Sequence, residues 1–216
     1  MIPAQKSASF VCNMEKVLSV YERPYNEDFP VVCMDESPKQ IIDYKEVVCS
    51  NGKIQQDSEY TRLGVAEIFV AFEPLAGYRE MSVEDNHKTD TWVKFIANLM
   101  DTRYKKAVVV SWVMDNFCTH KVENFYKIYT PEVAKAYLDR MNIIYTPVHG
   151  SWLNMAEIQF SILTRQELGK PFANKQEVKE VVEKWVNNQN NEKKGANWQF
   201  KDTDARVKLK KLYPTI

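Results

Sequence analysis

No stretch of this 216-residue chain approaches the roughly 18 apolar residues that a membrane helix needs. The start, MIPAQKSASF, has neither the basic nor the apolar region of a secretory signal. The expected location is therefore the cytoplasm. Cysteine is scarce: Cys12, Cys33, Cys49 and Cys118 stand far apart with no CxxC pair. That spacing excludes a zinc knuckle and a disulfide framework and predicts buried free thiols. No internal repeat is present, which excludes a solenoid. Net charge is also missing, with 29 Lys and Arg against 29 Asp and Glu. A neutral chain has no overall attraction for a polyanion, but here the charge is uneven. Residues 1–100 hold ten basic against sixteen acidic side chains, and residues 101–216 hold nineteen against thirteen.

What is present is enough for one domain with a substantial core, since 44% of the residues are hydrophobic. The run AVVVSWVM at 107–114 is continuous, apolar and rich in β-branched residues, so it reads as a strand buried on both faces, and Asp115 follows it. A shorter run, VVCM at 31–34, is entered through Pro30 and stops at a second acid, Asp35. An Asp after a strand is often only a turn former or helix cap. A third acid is less ordinary. Leu153, Ala156, Phe160 and Leu163 recur at helical spacing, and Glu157 falls inside that stripe, where an unpaired charge is costly. Two strand-end aspartates and one helix-borne glutamate make a carboxylate set suited to hard divalent cations, at the end of a sheet where ligands commonly bind.

The rest of the pattern is α/β. The segments around 66–72 and 78–83 flank the turn signal EPLAG and read as a hairpin. Trp92, Phe95, Ile96 and Leu99 predict a helix over 89–100, and Pro131 opens another to about 141. A short strand follows at 142–146, and Ser151 is the expected cap of the helix that carries Glu157. Asn174 with Glu177 forms a capping signature for a helix whose Val178, Val181, Val182 and Trp185 face inward. The polar run NNQNNEKKG at 187–195 is expected to break it.

Five segments carry a resemblance: PVVCMDESPKQ, FEPLAGYRE, VMDNFCTH, YTPVHGSWLNMAEIQFSIL and DARVKLKKLYP. Together they resemble the catalytic domain of DDE transposases of bacterial insertion sequences in the mariner superfamily. Most specific are the Asp-Asn pair with a His four residues after the Asn, and the HGSWLN segment about 40 residues later. The resemblance implies an RNase H-like mixed sheet, with three antiparallel strands and then parallel ones, flanked by helices. It divides the chain into a lead-in segment (1–28), a catalytic domain (29–170) and a C-terminal helical extension (171–216).

The family's triad falls on Asp35, Asp115 and Glu157, which implies two-metal cleavage and joining of DNA strands with two Mg²⁺ ions, or Mn²⁺ as substitute. Asp35 is the expected bridging ligand. Glu36 is expected to point away, because successive strand residues face opposite sides. Asn116, His120, His149 and Asn154 are supporting candidates, and His87 reads as surface. Transposon ends and target DNA are the implied partners, with a homodimer or a partner transposase chain as the active assembly. Phosphate contact is expected from the basic half, at Lys193, Lys194, Lys201, Arg206, Lys208, Lys210 and Lys211. The family's helix-turn-helix domains have no room before Asp35, so targeting is expected to be impaired. The alternative is a catalytically idle or repurposed domain for DNA binding or assembly.

Overall fold

The computed structural model describes residues 7–48 and 54–214. Its centre is one five-stranded sheet in the order β3-β2-β1-β4-β5. The strands are β1 (Val31–Val48), β2 (Ile54–Glu73), β3 (Tyr78–Glu84), β4 (Val110–Met114) and β5 (Met141–Tyr145). The first three are antiparallel neighbours; β4 and β5 join them in parallel. This is the RNase H-like arrangement that the resemblance implies.

Side-chain alternation divides the core in two. Cys33, Val70, Phe72 and Val113 face one side, against helices α1 (Ala8–Tyr21), α5 (Met155–Leu163) and α6 (Lys175–Asn191). Val32, Met34, Phe69, Ala71, Trp112 and Met114 face the other, against α2 (Thr89–Asp101), α3 (Phe125–Ile128) and α4 (Pro131–Leu138). All five residues of β4 are buried, as expected of a strand covered on both faces. A short helix, α7 (Asp202–Lys208), rests against α1 near the chain's end. Among the described residues, no helix is long and apolar enough to cross a membrane.

Four expectations change. The strand that carries Asp35 does not stop there. Beyond the reach of β3, which pairs with Glu67–Glu73, and of β4, which pairs with Val31–Cys33, β1 and β2 continue as a two-stranded ribbon with irregular steps at Ile41/Ile42 and Tyr44/Glu46. Its sequence is too polar to show the strand pattern. Second, the lead-in segment contains α1, capped by Ser7, which buries Phe10, Met14, Val17, Leu18 and Tyr21 in the core.

Third, the Asn-rich run does not break α6, which continues to Asn191. Its amides have work there: Asn190 accepts from the Arg79 backbone N–H (2.9 Å) and donates to the Arg79 carbonyl (2.8 Å), pairing with β3 as a strand would. Fourth, of the described thiols only Cys33 is buried, while Cys12 and Cys118 are exposed. Cys12 lies on the outward side of α1 and Cys118 in the loop after β4; Cys49 lies outside the described residues.

Candidate active site

Parallel pairing of β1 and β4 puts the residues that follow it, Asp35 and Asp115, at the same end of the sheet. The third acid arrives on α5. A 3-10 turn, Ser151–Leu153, precedes this helix, and Asn154 caps it instead of Ser151. Both polar atoms of the Asn154 amide are engaged. Its Oδ1 accepts from Ala156 N–H (3.1 Å), and its Nδ2 donates to the Met34 carbonyl (2.9 Å) and to Asp35 Oδ2 (3.2 Å). One side chain therefore ends the turn, starts the helix and ties both to β1 beside Asp35.

The turn is braced from behind. Tyr21 of α1 donates to the Leu153 carbonyl (2.7 Å), and the Trp152 ring stacks on Trp198 and meets Phe200 edge-on. Glu157 then lies in the first turn of α5, where the helix N-terminus favours a carboxylate. The expectation that Glu157 sits inside the buried stripe is corrected. With Asn154 as cap, Ala156, Gln159, Phe160 and Leu163 are buried and Glu157 is exposed at the stripe's edge.

Asp35 is largely enclosed and has no cation beside it among the described residues. Burial first, then the negative charge of Glu157, push its carboxyl up to about 7; Glu36 and Asp115 add to this, against the Glu36 N–H bonded to Oδ1 (2.9 Å). Asp115 is different. Burial would raise it, but the hydrogen bond and charge of His120 hold it below the usual carboxylate range.

His120 is 1% exposed and sits between two carboxylates: Nδ1 is 2.6 Å from Asp115 Oδ1, and Nε2 is 2.9 Å from Glu36 Oε2. Burial disfavours the imidazolium, yet these two bonds outweigh it and raise the pKa to about 9. The rings of Trp92 and Phe117 flank it at 5.5 and 6.0 Å. The surrounding loop is tied down by Tyr145, which donates to the His120 carbonyl (2.8 Å), and by Asn124, which donates to the Thr119 carbonyl (3.0 Å). Glu36 does face away from Asp35 across the strand, but it returns to the site through His120. Sequence alone does not reveal this, because a residue's own face says nothing about a bridge around the end of the sheet.

The other candidates scatter. Asn116 is exposed and accepts from Lys121. His149 is exposed in a left-handed backbone conformation (φ 63°), in the tight turn where Gly150 N–H reaches the Pro147 carbonyl at 2.8 Å. A Cβ on Gly150 would meet Pro147 at 2.5 Å, so the HG pair is read first as turn chemistry. His87 is exposed and contacts Glu67.

The basic candidates fall in two places. Lys193 and Lys194 adjoin the β2–β3 turn, where a Cβ on Gly77 would meet the Lys193 carbonyl, and this turn is at the other end of the sheet. Lys194 pairs with Glu192, and Arg206 with Glu15 and Asp202. Lys208 lies over the Phe200 ring, while Lys201, Lys210 and Lys211 are exposed.

Oxygen donors of this kind fit a hard divalent cation. The fit is supported by the raised Asp35 carboxyl, which marks negative charge without a counter-ion. Among the described residues no three His, Cys, Asp or Glu side chains stand close enough together to form a preformed cation cage, so the expected convergence of Asp35, Asp115 and Glu157 is not seen.

A family model described as DDE superfamily endonuclease matches residues 30–179. No curated protein sequence matches. Among solved structures, the Mos1 mariner paired-end complex with Mn is similar at 15% identity and a TM-score of 0.56, covering 87% of this chain and 57% of that one. The Mos1 strand transfer complex is similar at 15% identity and a TM-score of 0.52, covering 83% and 53%. The Mos1 paired-end complex with Mg matches at 14% and a TM-score of 0.53, covering 100% and 66%. The chain thus spans a little over half the length of the first of these, and the likeness is one of fold.

Proposed function

The chain belongs to the DDE superfamily endonucleases, and on that premise we propose that it is the catalytic domain of a transposase that cuts and joins DNA strands. The observation that carries this reading is the placement of Asp35 and Asp115 at one end of the sheet, with Asn154 tying Asp35 to the start of the helix that carries Glu157. Asp35, Asp115 and Glu157 would hold two divalent cations, Mg²⁺ or Mn²⁺. When bound, the cations activate the attacking water or 3′-hydroxyl and stabilise the leaving oxygen of an in-line displacement.

The chain's own residues prepare that chemistry. Asn154 links Asp35 to the start of α5, so Glu157 is presented from a helix whose entry is hydrogen-bonded beside Asp35. His120 holds Asp115 Oδ1. Exposed Lys201, Lys208, Lys210 and Lys211 give phosphate contacts outside the carboxylates. The Mos1 structures are named as paired-end and strand transfer complexes, which supports transposon ends and target DNA as substrates and a homodimer or partner transposase chain as the working assembly. Bacterial chromosomal or plasmid DNA in the cytoplasm is the setting this reading assigns.

A nicking assay on supercoiled plasmid tests the proposal. The wild-type chain is expected to nick with Mg²⁺ or Mn²⁺, whereas Glu157→Gln binds DNA as well and does not nick. Equal nicking by both, or none by either at high protein concentration with Mn²⁺, would favour an idle domain.

A further inference from the structure

Asp115 is half-exposed and follows the last residue of its strand. Both of its visible restraints fall on one oxygen. Oδ1 accepts from His120 Nδ1 (2.6 Å) and from Phe117 N–H (3.2 Å), and Oδ2 accepts no hydrogen bond among the described residues. The imidazole that holds Oδ1 is buried, and its far nitrogen contacts Glu36 Oε2 at 2.9 Å. An imidazole that bonds two carboxylates must donate from both nitrogens, so it needs an acceptor at each end. Trp92 and Phe117 flank the ring but offer it no acceptor. Glu36 is thus what fixes the ring's rotation, from the opposite face of β1 to Asp35.

We propose that Glu36 is a positioning residue for Asp115: its carboxylate orients His120, and His120 in turn holds Asp115 Oδ1 and leaves Oδ2 for a divalent cation. This rests on the cation-binding reading of the site. Neighbouring acids DE in the sequence then have different tasks. Asp35 is a ligand on one face, and Glu36 sets the angle of the other ligand from the opposite face. Hydrogen-bonded supports of ligating carboxylates are worth about 10- to 100-fold in metal affinity or activity when removed.

Mn²⁺ binding, read by electron paramagnetic resonance on the full chain, tests this without relying on turnover. Asp115→Asn serves as reference and is expected to weaken binding most. Glu36→Ala is expected to weaken it about 10-fold, His120→Ala by a similar factor, and the double variant no further, because both act through one bridge. Glu36→Gln presents an acceptor oxygen of the same shape, so it is expected to recover most of the affinity. Nicking is expected to follow the same order.

If Asp115→Asn weakens Mn²⁺ binding but Glu36→Ala does not, the positioning role is overturned while the cation site stands. If the two losses multiply in the double variant, Glu36 does not act through His120, and the inference fails. If Asp115→Asn itself leaves Mn²⁺ binding unchanged, the cation-site reading fails first. Should Glu36→Ala fail to fold, Glu36→Gln against His120→Ala decides alone: affinity near wild type in the first and a large drop in the second supports the bridge, and equal loss in both overturns it.

Discussion

Asp35 and Glu73 sit on neighbouring strands of one sheet, at opposite ends, and both carboxylates are largely withdrawn from water. Glu73 is 2% exposed, with Arg103 Nη2 at 3.1 Å and the Tyr104 hydroxyl at 3.5 Å. Burial raises its carboxyl, and the Arg103 hydrogen bond and charge pull it back. Asp35 receives a backbone N–H and an amide instead, and its charged neighbours are negative. At one end the chain answers a buried charge from within. At the other it leaves the charge unmatched, and an ion from outside is the remaining way to satisfy it. A buried acid by itself therefore says little about function; what faces it does.

The largest effect expected from this contrast is a crossed pair of substitutions. Asp35→Asn should reduce nicking to background, yet raise the metal-free melting temperature at pH 8, because it removes an uncompensated charge. Glu73→Gln should leave nicking in place and lower the melting temperature, since Arg103 keeps its charge without its partner. Arg103 is 37% exposed on its side chain, so solvent screens the loss and about 1–2 kcal/mol is expected. Thermal melts and plasmid nicking on both variants check it. Two melting temperatures that fall together would show that the two ends are equally structural.

Next in size is pH dependence. A group whose pKa is raised on folding stabilises the fold fully below its unfolded value and loses that contribution as pH rises through the folded one. Asp35 rises from 3.8 to about 7. Its contribution is present in acid and is lost between about pH 4 and 7, on the order of a few kcal/mol. Glu157, Glu36 and Asp115 face it, and Asn154 is its neutral neighbour. His120, raised from 6.5 to about 9, adds a loss of the same sign between those values. Metal-free stability should therefore fall as pH rises from about 5 to about 9, and Mn²⁺ should restore most of it at the alkaline end through linkage. Denaturant titrations at several pH values measure this. A flat profile for the wild-type chain would remove the argument that Asp35 is destabilised.

Arg79 offers a smaller, structural test. It is buried at 1% exposure between the rings of Phe72 and Trp185, with Gln189 and the Lys194 carbonyl as acceptors. Asn190→Ala should cost about 1–2 kcal/mol by leaving the Arg79 backbone N–H and carbonyl unpaired, with nicking by the remaining folded protein unchanged. Urea melts read the first part and the plasmid assay the second.

Legibility in the sequence follows the same division. Strand β4 and helix α2 are readable because burial on a fixed period dictates residue type there, and the starts of α4 and α6 because Pro131 and the Asn174–Glu177 pair are helix-start chemistry. Helix α1 carries the same signal, with Ser7 before Phe10, Val11, Met14, Val17, Leu18 and Tyr21, although the expectation for this stretch is only a lead-in segment. The ribbon of β1 and β2 is not readable, because its described residues 59–65 are exposed and its pairing is by backbone. The Asn-rich end of α6 misleads because amides that favour loops here serve a specific strand edge. At the site, residue types pick out Asp35, Asp115 and Glu157. Glu36, the cap role of Asn154 and the exposure of Glu157 depend on bonds between segments 84 and 120 residues apart, which periodicity does not encode.

The smallest effect expected lies away from both carboxylates. Lys208 and Lys210 lie near the end of the chain, at the surface, whereas Arg206 beside them is already engaged by Glu15 and Asp202. If the lysine pair meets phosphates, each charge removed ends the release of one counter-ion. Lys208→Gln with Lys210→Gln should then weaken DNA binding a few-fold at physiological salt and flatten the plot of log affinity against log salt by about 0.9 for each phosphate no longer neutralised. Arg206→Gln should change that slope less, because its charge is held by two carboxylates, while loosening α7 from α1 as its bonds to Glu15 (2.9 and 3.2 Å) are broken. Fluorescence anisotropy over a salt series separates the cases. Equal slopes for wild type and the double lysine variant would place the phosphate contacts elsewhere and leave this basic cluster as a solvated surface.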